Sequence, residues 1–144
     1  MKQKLYRLFQ GETKYICLSE FIIGIFTVCY IYSLHKLNNN LLQKFPESDI
    51  INQFQLLHYN DYQPLKYFVL AIVLVFSEIF LTMKIARKIR ECEFEISDML
   101  LNILMIAINI ILIVFIINGI MIPILKAIIN VMIFVYAITK VSSS

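Results

Sequence analysis

Residues 99–117 read MLLNILMIAINIILIVFII, a run that contains no charged side chain. At a rise of about 1.5 Å per residue, an α-helix over this run is about 28 Å long, which matches the hydrocarbon core of a bilayer. Apolar runs of this length are typical of membrane spans. The run therefore predicts a transmembrane helix in an all-α membrane protein.

Three further apolar runs resemble this one in length and composition. Charged or turn-forming residues border each of them. The four predicted spans are residues 15–34, 66–83, 99–117 and 120–138. Together they predict a four-transmembrane-helix bundle that forms a single domain over residues 1–144.

The last two runs are separated only by Asn118-Gly119, so residues 99–138 have an alternative interpretation as one helix. Such a helix would be about 60 Å long, which is twice the thickness of the hydrocarbon core. Asn-Gly is a tight-turn dipeptide, and Pro123 follows it closely. A hairpin turn is therefore expected here, and four spans is the better count.

The composition excludes an ordinary soluble domain. Of 144 residues, 60% are hydrophobic and 16% are charged, against about 45–50% and about 25% in soluble domains. A soluble fold of this size could not bury so much apolar surface, so the lipid bilayer is the first expected partner. The cations flank the apolar runs and form no single basic face, which argues against nucleic-acid binding.

The distribution of lysine and arginine predicts the orientation in the membrane, because cytoplasmic segments carry an excess of both. The cations cluster before the first span, after the second and after the fourth, at Lys2, Lys4, Arg7, Lys14, Lys84, Arg87, Lys88, Arg90 and Lys140. We therefore expect both termini and a hairpin over residues 84–98 in the cytoplasm, with an outer loop over residues 35–65. This asymmetry, without an organelle signal or a glycosylation sequon, favours a bacterial plasma membrane.

The predicted outer loop contains a short amphipathic pattern. After Pro46, apolar residues recur at helical spacing, at Ile50, Ile51, Phe54 and Leu57. Ser48 or Asp49 near the start is a suitable helix cap. We expect an extracytoplasmic amphipathic helix between the first two spans, lying in the headgroup region or over the bundle.

Polar residues inside the predicted spans form the candidate functional site, because a polar group in hydrocarbon costs free energy unless it finds a partner. The candidates are Glu20, Glu78, Asn102, Asn109, Lys126 and Asn130. Thr27 and Thr82 fall on the same helical faces as the two glutamates. Each span thus carries one polar stripe, and we expect all four stripes to face the bundle interior and to form interhelical hydrogen bonds.

Glu20 and Glu78 lie ~8 Å below the cytoplasmic surface by helical rise. In one interpretation they form a layer that shares a proton or binds a cation, because two carboxylates in a site of low dielectric constant cannot both be ionised cheaply. In the other, each glutamate snorkels to the interface or pairs with a base such as Lys14 or Arg87. Lys126 lies ~9–11 Å below the outer surface, where it either snorkels or pairs with a carboxylate of a partner protein.

No catalytic, cofactor or metal site is expected from the sequence. It contains no G-x-S-x-G, no H-E-x-x-H and no phosphate-binding glycine loop. Cys17, Cys29 and Cys92 form no C-x-x-C pair, and His35 and His58 are isolated in the predicted outer loop. A protein that is not an enzyme is therefore favoured.

Two functions remain after these exclusions. The first is a small membrane protein that docks onto another membrane protein or onto itself, as an accessory subunit, a regulator or an immunity-type self-protection protein. The second is a small proton- or cation-coupled transporter, or an oligomeric pore, that uses Glu20 and Glu78. A lipid-modifying enzyme has the least support, because no nucleophile or metal site stands out.

Overall fold

The computed structural model describes the backbone of residues 12–44, 50–91 and 96–142, and the side chains of residues 15–44, 56–90 and 99–139. Over the described residues the chain is helical and contains no strand, which confirms the predicted all-α class. The helices are α1 (Glu12–Lys44), α2 (Ile50–Glu91), α3 (Ile96–Gly119) and α4 (Pro123–Ser142).

Three of these helices contain a segment that is long and apolar enough to cross a membrane. The segments are Tyr15–Lys44 in α1, Leu56–Arg90 in α2 and Met99–Gly119 in α3. The apolar part of α4, Pro123–Thr139, is shorter. The lengths and compositions of the first three helices support an integral membrane protein.

α3 ends at Gly119 and α4 begins at Pro123, so residues 99–138 form two helices and not one. Proline suits the first position of a helix, because the amide hydrogen that it lacks would have no partner there. The amide of Lys126 donates to the carbonyl of Ile122 over 3.0 Å and forms the first turn of α4. The break predicted from the Asn-Gly pair is therefore present.

α1 continues past the predicted end of the first span at Leu34 and reaches Lys44. Leu37 and Leu41 explain the extension, because they follow Leu34 at helical spacing and both are buried. Packing of this apolar stripe holds residues 35–44 in a helix although the segment is rich in polar side chains. The first part of the predicted outer loop is thus helical.

α2 is interrupted by non-helical backbone over residues 59–62. Asn60, Asp61 and Tyr62 have φ values of 48°, 56° and 60°, in the left-handed region. Asn and Asp occupy this region more readily than most residues do, because their short polar side chains bond locally. Pro64 follows at the start of the next helical segment, where a missing amide hydrogen is tolerated.

The predicted amphipathic helix corresponds to the segment of α2 before this break. Its backbone is helical from Ile50. Leu56 in the same segment is buried and Leu57 is half-buried. The side chains of Ile50, Ile51 and Phe54 lie outside the described residues, so their amphipathic arrangement and its place outside the membrane stay predictions.

The chain divides into two compact units. The first unit comprises Met1–Cys29 and Leu74–Ile113, and the second comprises Tyr30–Val73 and Val114–Ser144. α1, α2 and α3 each contribute residues to both units, whereas α4 belongs to the second. The second unit has an apolar core that includes Leu34, Leu37, Leu41, Phe68, Ile116 and Ile129.

Large apolar side chains remain exposed along α1 and α3. They include Phe21, Phe26, Leu100 and Phe115. In the most apolar window of each helix, 39% of residues are buried in α2, against 11% in α1 and 17% in α3. α2 is therefore the most enclosed of the three helices, and the exposed faces of the other two are suited to lipid.

Candidate functional site

The buried polar side chains of the described residues all lie in the first unit. They are Thr27, Glu78, Asn102 and Asn109, and each is at most 7% exposed. Burying a polar group costs free energy unless it forms hydrogen bonds. Their concentration in one unit therefore marks the candidate site.

Thr27 and Glu78 connect α1 to α2 within the first unit. The Thr27 hydroxyl donates to Oε1 of Glu78 over 2.8 Å. Both side chains are almost completely buried, at 0% and 1% exposure. The bond places a carboxylate inside the protein and satisfies one of its two oxygens.

Asn109 connects α3 to the same face of α2. Its side-chain amide donates to the hydroxyl of Thr82 over 3.3 Å. Thr82 follows Glu78 by four residues, so the two side chains lie one turn apart on one face of α2. Polar groups from three helices thus meet inside this unit.

Glu20 on α1 lies close to this group but is not hydrogen-bonded to it. Both of its carboxyl oxygens are enclosed by protein, and neither has a hydrogen-bond partner. The side-chain amide of Asn109 faces the carboxyl as a donor but lies beyond hydrogen-bonding distance, and Glu78 lies close enough for the two carboxyl groups to interact. Glu20 is therefore the least satisfied polar group among the described residues of the unit.

Asn102 extends the polar group along α3. It lies two turns before Asn109, ~10 Å along the helix, and is 7% exposed. The structure gives it no side-chain hydrogen bond. We call the whole set the polar column; its members are Glu20, Thr27, Glu78, Thr82, Asn102 and Asn109.

The burial and bonding of the two glutamate carboxyl groups can be compared with the expectation that they snorkel to the interface or pair with bases. The oxygens of Glu20 are enclosed and Glu78 is buried, whereas the charged end of a snorkelling side chain reaches water. Arg87 is exposed, and Glu78 bonds to Thr27. The side chain of Lys14 lies outside the described residues.

Lys126 and Asn130 belong to the second unit, so the structure does not place them in the polar column. Lys126 is half-buried and Asn130 is exposed. The buried face of α4 consists instead of Leu125 and Ile129. The expectation that the polar stripe of the fourth helix faces inward is therefore wrong for Asn130, because these larger apolar side chains occupy the core.

Two hydrogen bonds of the second unit were not expected from the sequence. The side-chain amide of Asn38 donates to the carbonyl of Gly119 over 2.7 Å, and the Tyr30 hydroxyl donates to the carbonyl of Tyr67 over 3.0 Å. Asn38 satisfies a carbonyl at the end of α3 that has no partner within its own helix. Its position between Leu37 and Leu41 on an extended α1 is the signal that could have indicated this contact.

A small cavity in the second unit offers no alternative site. Its volume of about 20 Å³ is enough for one water molecule and little more. Mainly apolar side chains line it, among them Leu34, Leu37, Phe68 and Leu125.

The described part of the chain contains few residues suited to metal or thiol chemistry. No group of three or more His, Cys, Asp and Glu side chains there is placed to hold a metal ion. Cys17 is half-buried and Cys29 is exposed, and both are free thiols. Cys92 lies outside the described residues.

No protein-family model matches the chain, and no curated protein or solved structure is significantly similar to it. Two features of the structure bear on function. One is the polar column of the first unit, and the other is the set of polar residues on the surface of the second unit around Lys126.

Proposed function

We propose that the chain crosses a bacterial plasma membrane four times, with both termini in the cytoplasm. The apolar part of α4 is about 26 Å long, which is short but sufficient for a span. α1 is about 50 Å long and exceeds the hydrocarbon thickness, so its end and the first segment of α2 form the outer region. The cations at both ends of the chain and in the last turns of α2 support this orientation.

Within this topology we propose that the protein acts by docking onto another membrane protein. The observation that carries the proposal is a polar patch on the second unit, formed by Asn118, Lys126 and Asn130. Asn118 and Asn130 are exposed and Lys126 is half-buried. Lys126 and Asn130 are four residues apart and therefore share one face of α4.

The polar patch is poorly satisfied by the protein itself. The Lys126 ammonium donates to Oδ1 of Asn118 over 3.3 Å, which is long for a charge-assisted hydrogen bond. A lysine at the centre of a span costs about 2.5–3.5 kcal/mol, and less near the interface. A carboxylate on the transmembrane segment of a partner would offset this cost, and amide groups could bond to Asn130.

The identity of the partner would assign the biological role. If the partner is a subunit of a transport or secretion complex, the protein acts as an accessory protein or regulator. A toxin or its membrane target indicates immunity-type self-protection. A second copy of the chain indicates self-association.

Replacement of the lysine tests the docking proposal. Lys126→Leu should abolish co-purification of the partner from native membranes, because the leucine cannot pair with a carboxylate. Membrane insertion should persist, since the substitution makes the span more apolar. The measurement is the amount of partner per chain, identified by mass spectrometry, after extraction in mild detergent.

Two controls make this test specific. Lys66→Leu removes an exposed lysine outside the polar patch and should leave association unchanged. When the partner carboxylate is known, Lys126→Asp combined with a lysine at that position should restore association. Unchanged co-purification in Lys126→Leu would contradict the docking proposal.

A second candidate function is a small proton- or cation-coupled transporter, or an oligomeric pore. The unpartnered carboxyl of Glu20 favours it, because ionisable groups inside membrane spans often mark ion or proton pathways. Glu20 and Glu78 would then carry the ion or proton. The polar column would provide the surrounding hydrogen-bonding groups.

A further inference from the structure

Asn130 is an exposed polar side chain near the middle of α4. It lies on the surface of the second unit, and its amide has no hydrogen-bond partner among the described residues. Asn130 is at least ~10 Å along the helix from Pro123 and from Thr139, which bound the apolar part of α4. In the proposed four-span topology the side chain is too short to reach water at either surface. Lipid tails carry no hydrogen-bonding group, so the amide needs a protein partner.

Asn130 lies on a stripe of exposed residues that recur at intervals of three, four and three along α4. The stripe consists of Ala127, Asn130, Phe134 and Ala137, and we call it the α4 seam. Alternation of three and four is the heptad pattern, at which two helices pack along a continuous line of contact. Small residues on such a line let two helices approach closely in a membrane, and an asparagine can form a hydrogen bond between them.

We propose that the chain forms a parallel homodimer in the membrane through the α4 seam, in which the Asn130 amides of the two copies bond to each other. A side-chain amide carries both donors and an acceptor, so two copies of one asparagine satisfy each other across a two-fold axis. The axis also places every seam residue beside its own counterpart. The α4 seam tolerates this, because it carries no charge and two of its four residues are alanine.

The neighbouring faces of α4 are less suited to contact with a second copy. Val131 and Val135 lie on an adjacent exposed face and are apolar, so lipid can solvate them. Lys126 is half-buried and lies between the α4 seam and the buried face formed by Leu125 and Ile129. Two copies therefore meet without placing their lysines on the line of contact, and Lys126 stays available to the partner of the docking proposal.

The homodimer rests on the four-span topology of the proposed function, but it requires no other protein. Sedimentation equilibrium of the purified full chain in density-matched detergent micelles therefore tests it directly. We expect a species with twice the mass of the chain that dissociates reversibly as the ratio of detergent to protein rises. Asn130→Leu should raise the dissociation constant of the dimer about tenfold, because it removes the hydrogen bonds between the two amides. Asn130→Gln keeps the amide and should retain part of the affinity.

Asn40→Leu is the matched control. It makes the same change at an exposed position of α1, away from the α4 seam, and should leave the dissociation constant unchanged. Ala127→Leu tests the α4 seam without altering the asparagine, and it should weaken the dimer because the larger side chain hinders close approach. Ala107→Leu makes that change at an exposed position of α3 and should have no effect. If Asn130→Leu does not fold, Ala127→Leu and Asn130→Gln decide the question.

Three results would overturn the inference. They are a single-chain mass at every ratio of detergent to protein, an unchanged dissociation constant in Asn130→Leu, and equal losses of affinity in Asn130→Leu and Asn40→Leu. If the purified chain is monomeric while Asn130→Leu loses a different protein during co-purification, Asn130 belongs to the docking surface and the homodimer is contradicted.

Lys126→Leu separates this inference from the docking proposal. The purified variant should still form the dimer, because Lys126 lies beside the α4 seam and not on it. A monomeric chain whose partner is lost in Lys126→Leu contradicts the homodimer and supports docking. A dimer that depends on Asn130, together with unchanged co-purification in Lys126→Leu, supports the homodimer and contradicts docking.

Discussion

Thr27 and Glu78 form the most enclosed polar contact in the described part of the chain, and it depends on a single hydroxyl group. The donor and acceptor are 2.8 Å apart and both side chains are at most 1% exposed. Removing one partner of a buried pair leaves the other unsatisfied, which usually costs more than the bond itself contributes. Thr27 is therefore the residue at which the contribution of the polar column to stability is best measured.

Thr27→Val should lower the free energy of unfolding by about 1–2 kcal/mol, because it keeps the shape of the side chain but removes the donor to Glu78. Thr27→Ser keeps the hydroxyl and should restore part of the loss. The measurement is unfolding of the chain in detergent micelles by added SDS, followed by circular dichroism.

Thr139→Val provides the control at the residue scale. Thr139 is exposed and its hydroxyl donates to the carbonyl of Tyr136 within the same helix. The same chemical change there should alter stability by less than about 0.5 kcal/mol. Equal losses of stability in Thr27→Val and Thr139→Val would show that the buried bond to Glu78 contributes no more to stability than the exposed one does.

The sequence identifies some residues of the candidate site better than others. Polar side chains in apolar runs single out Glu20, Glu78, Asn102 and Asn109, and the structure places these four in one unit. The Thr27–Glu78 bond could not be derived, because it joins positions 51 residues apart and depends on how α1 and α2 pack. Asn130 was misplaced because helical periodicity shows which residues share a face but not which face is buried.

At the scale of the helices, hydropathy predicts where lipid can solvate the chain but not where a helix ends. α1 reaches Lys44 because Leu37 and Leu41 pack in the second unit. A hydropathy window measures only the transfer of side chains to lipid, so it does not account for the packing of these two leucines. The break between α3 and α4 could be predicted, because Gly119 and Pro123 act through local backbone geometry.

The end of α3 provides a prediction about helix packing. A Cβ atom at Gly119 would lie 2.9 Å from Cδ2 of Leu34, which is itself buried. Gly119→Ala should therefore destabilise the protein by about 1 kcal/mol, because Leu34 must move within a packed core. The shift would also disturb the bond from Asn38 to the Gly119 carbonyl. The measurement is the same SDS unfolding experiment.

Gly24 is the matched control for this substitution. It lies within α1, and a Cβ atom there would have no neighbour within 4 Å. Alanine is the better helix former, so Gly24→Ala should leave stability unchanged or raise it. A Gly119→Ala variant as stable as Gly24→Ala would contradict the close approach of α1 to the end of α3.

At the scale of the molecule, the two units differ in the chemistry of their interiors. The first unit encloses the polar column. The described core of the second unit is apolar, and that unit carries the polar patch on its surface. The second candidate function therefore concerns the first unit, and docking concerns the second. Docking requires that α4 completes a fourth span, because Lys126 then lies inside the membrane.

The position of the C-terminus tests this topology most directly. Green fluorescent protein and alkaline phosphatase are fused in turn after Ser144 and expressed in bacteria, since the first is fluorescent in the cytoplasm and the second is active only outside it. Four spans with a cytoplasmic N-terminus predict a fluorescent fusion and an inactive phosphatase. An active phosphatase with a dark fluorescent fusion would contradict the topology, because it requires an odd number of crossings or the reverse orientation.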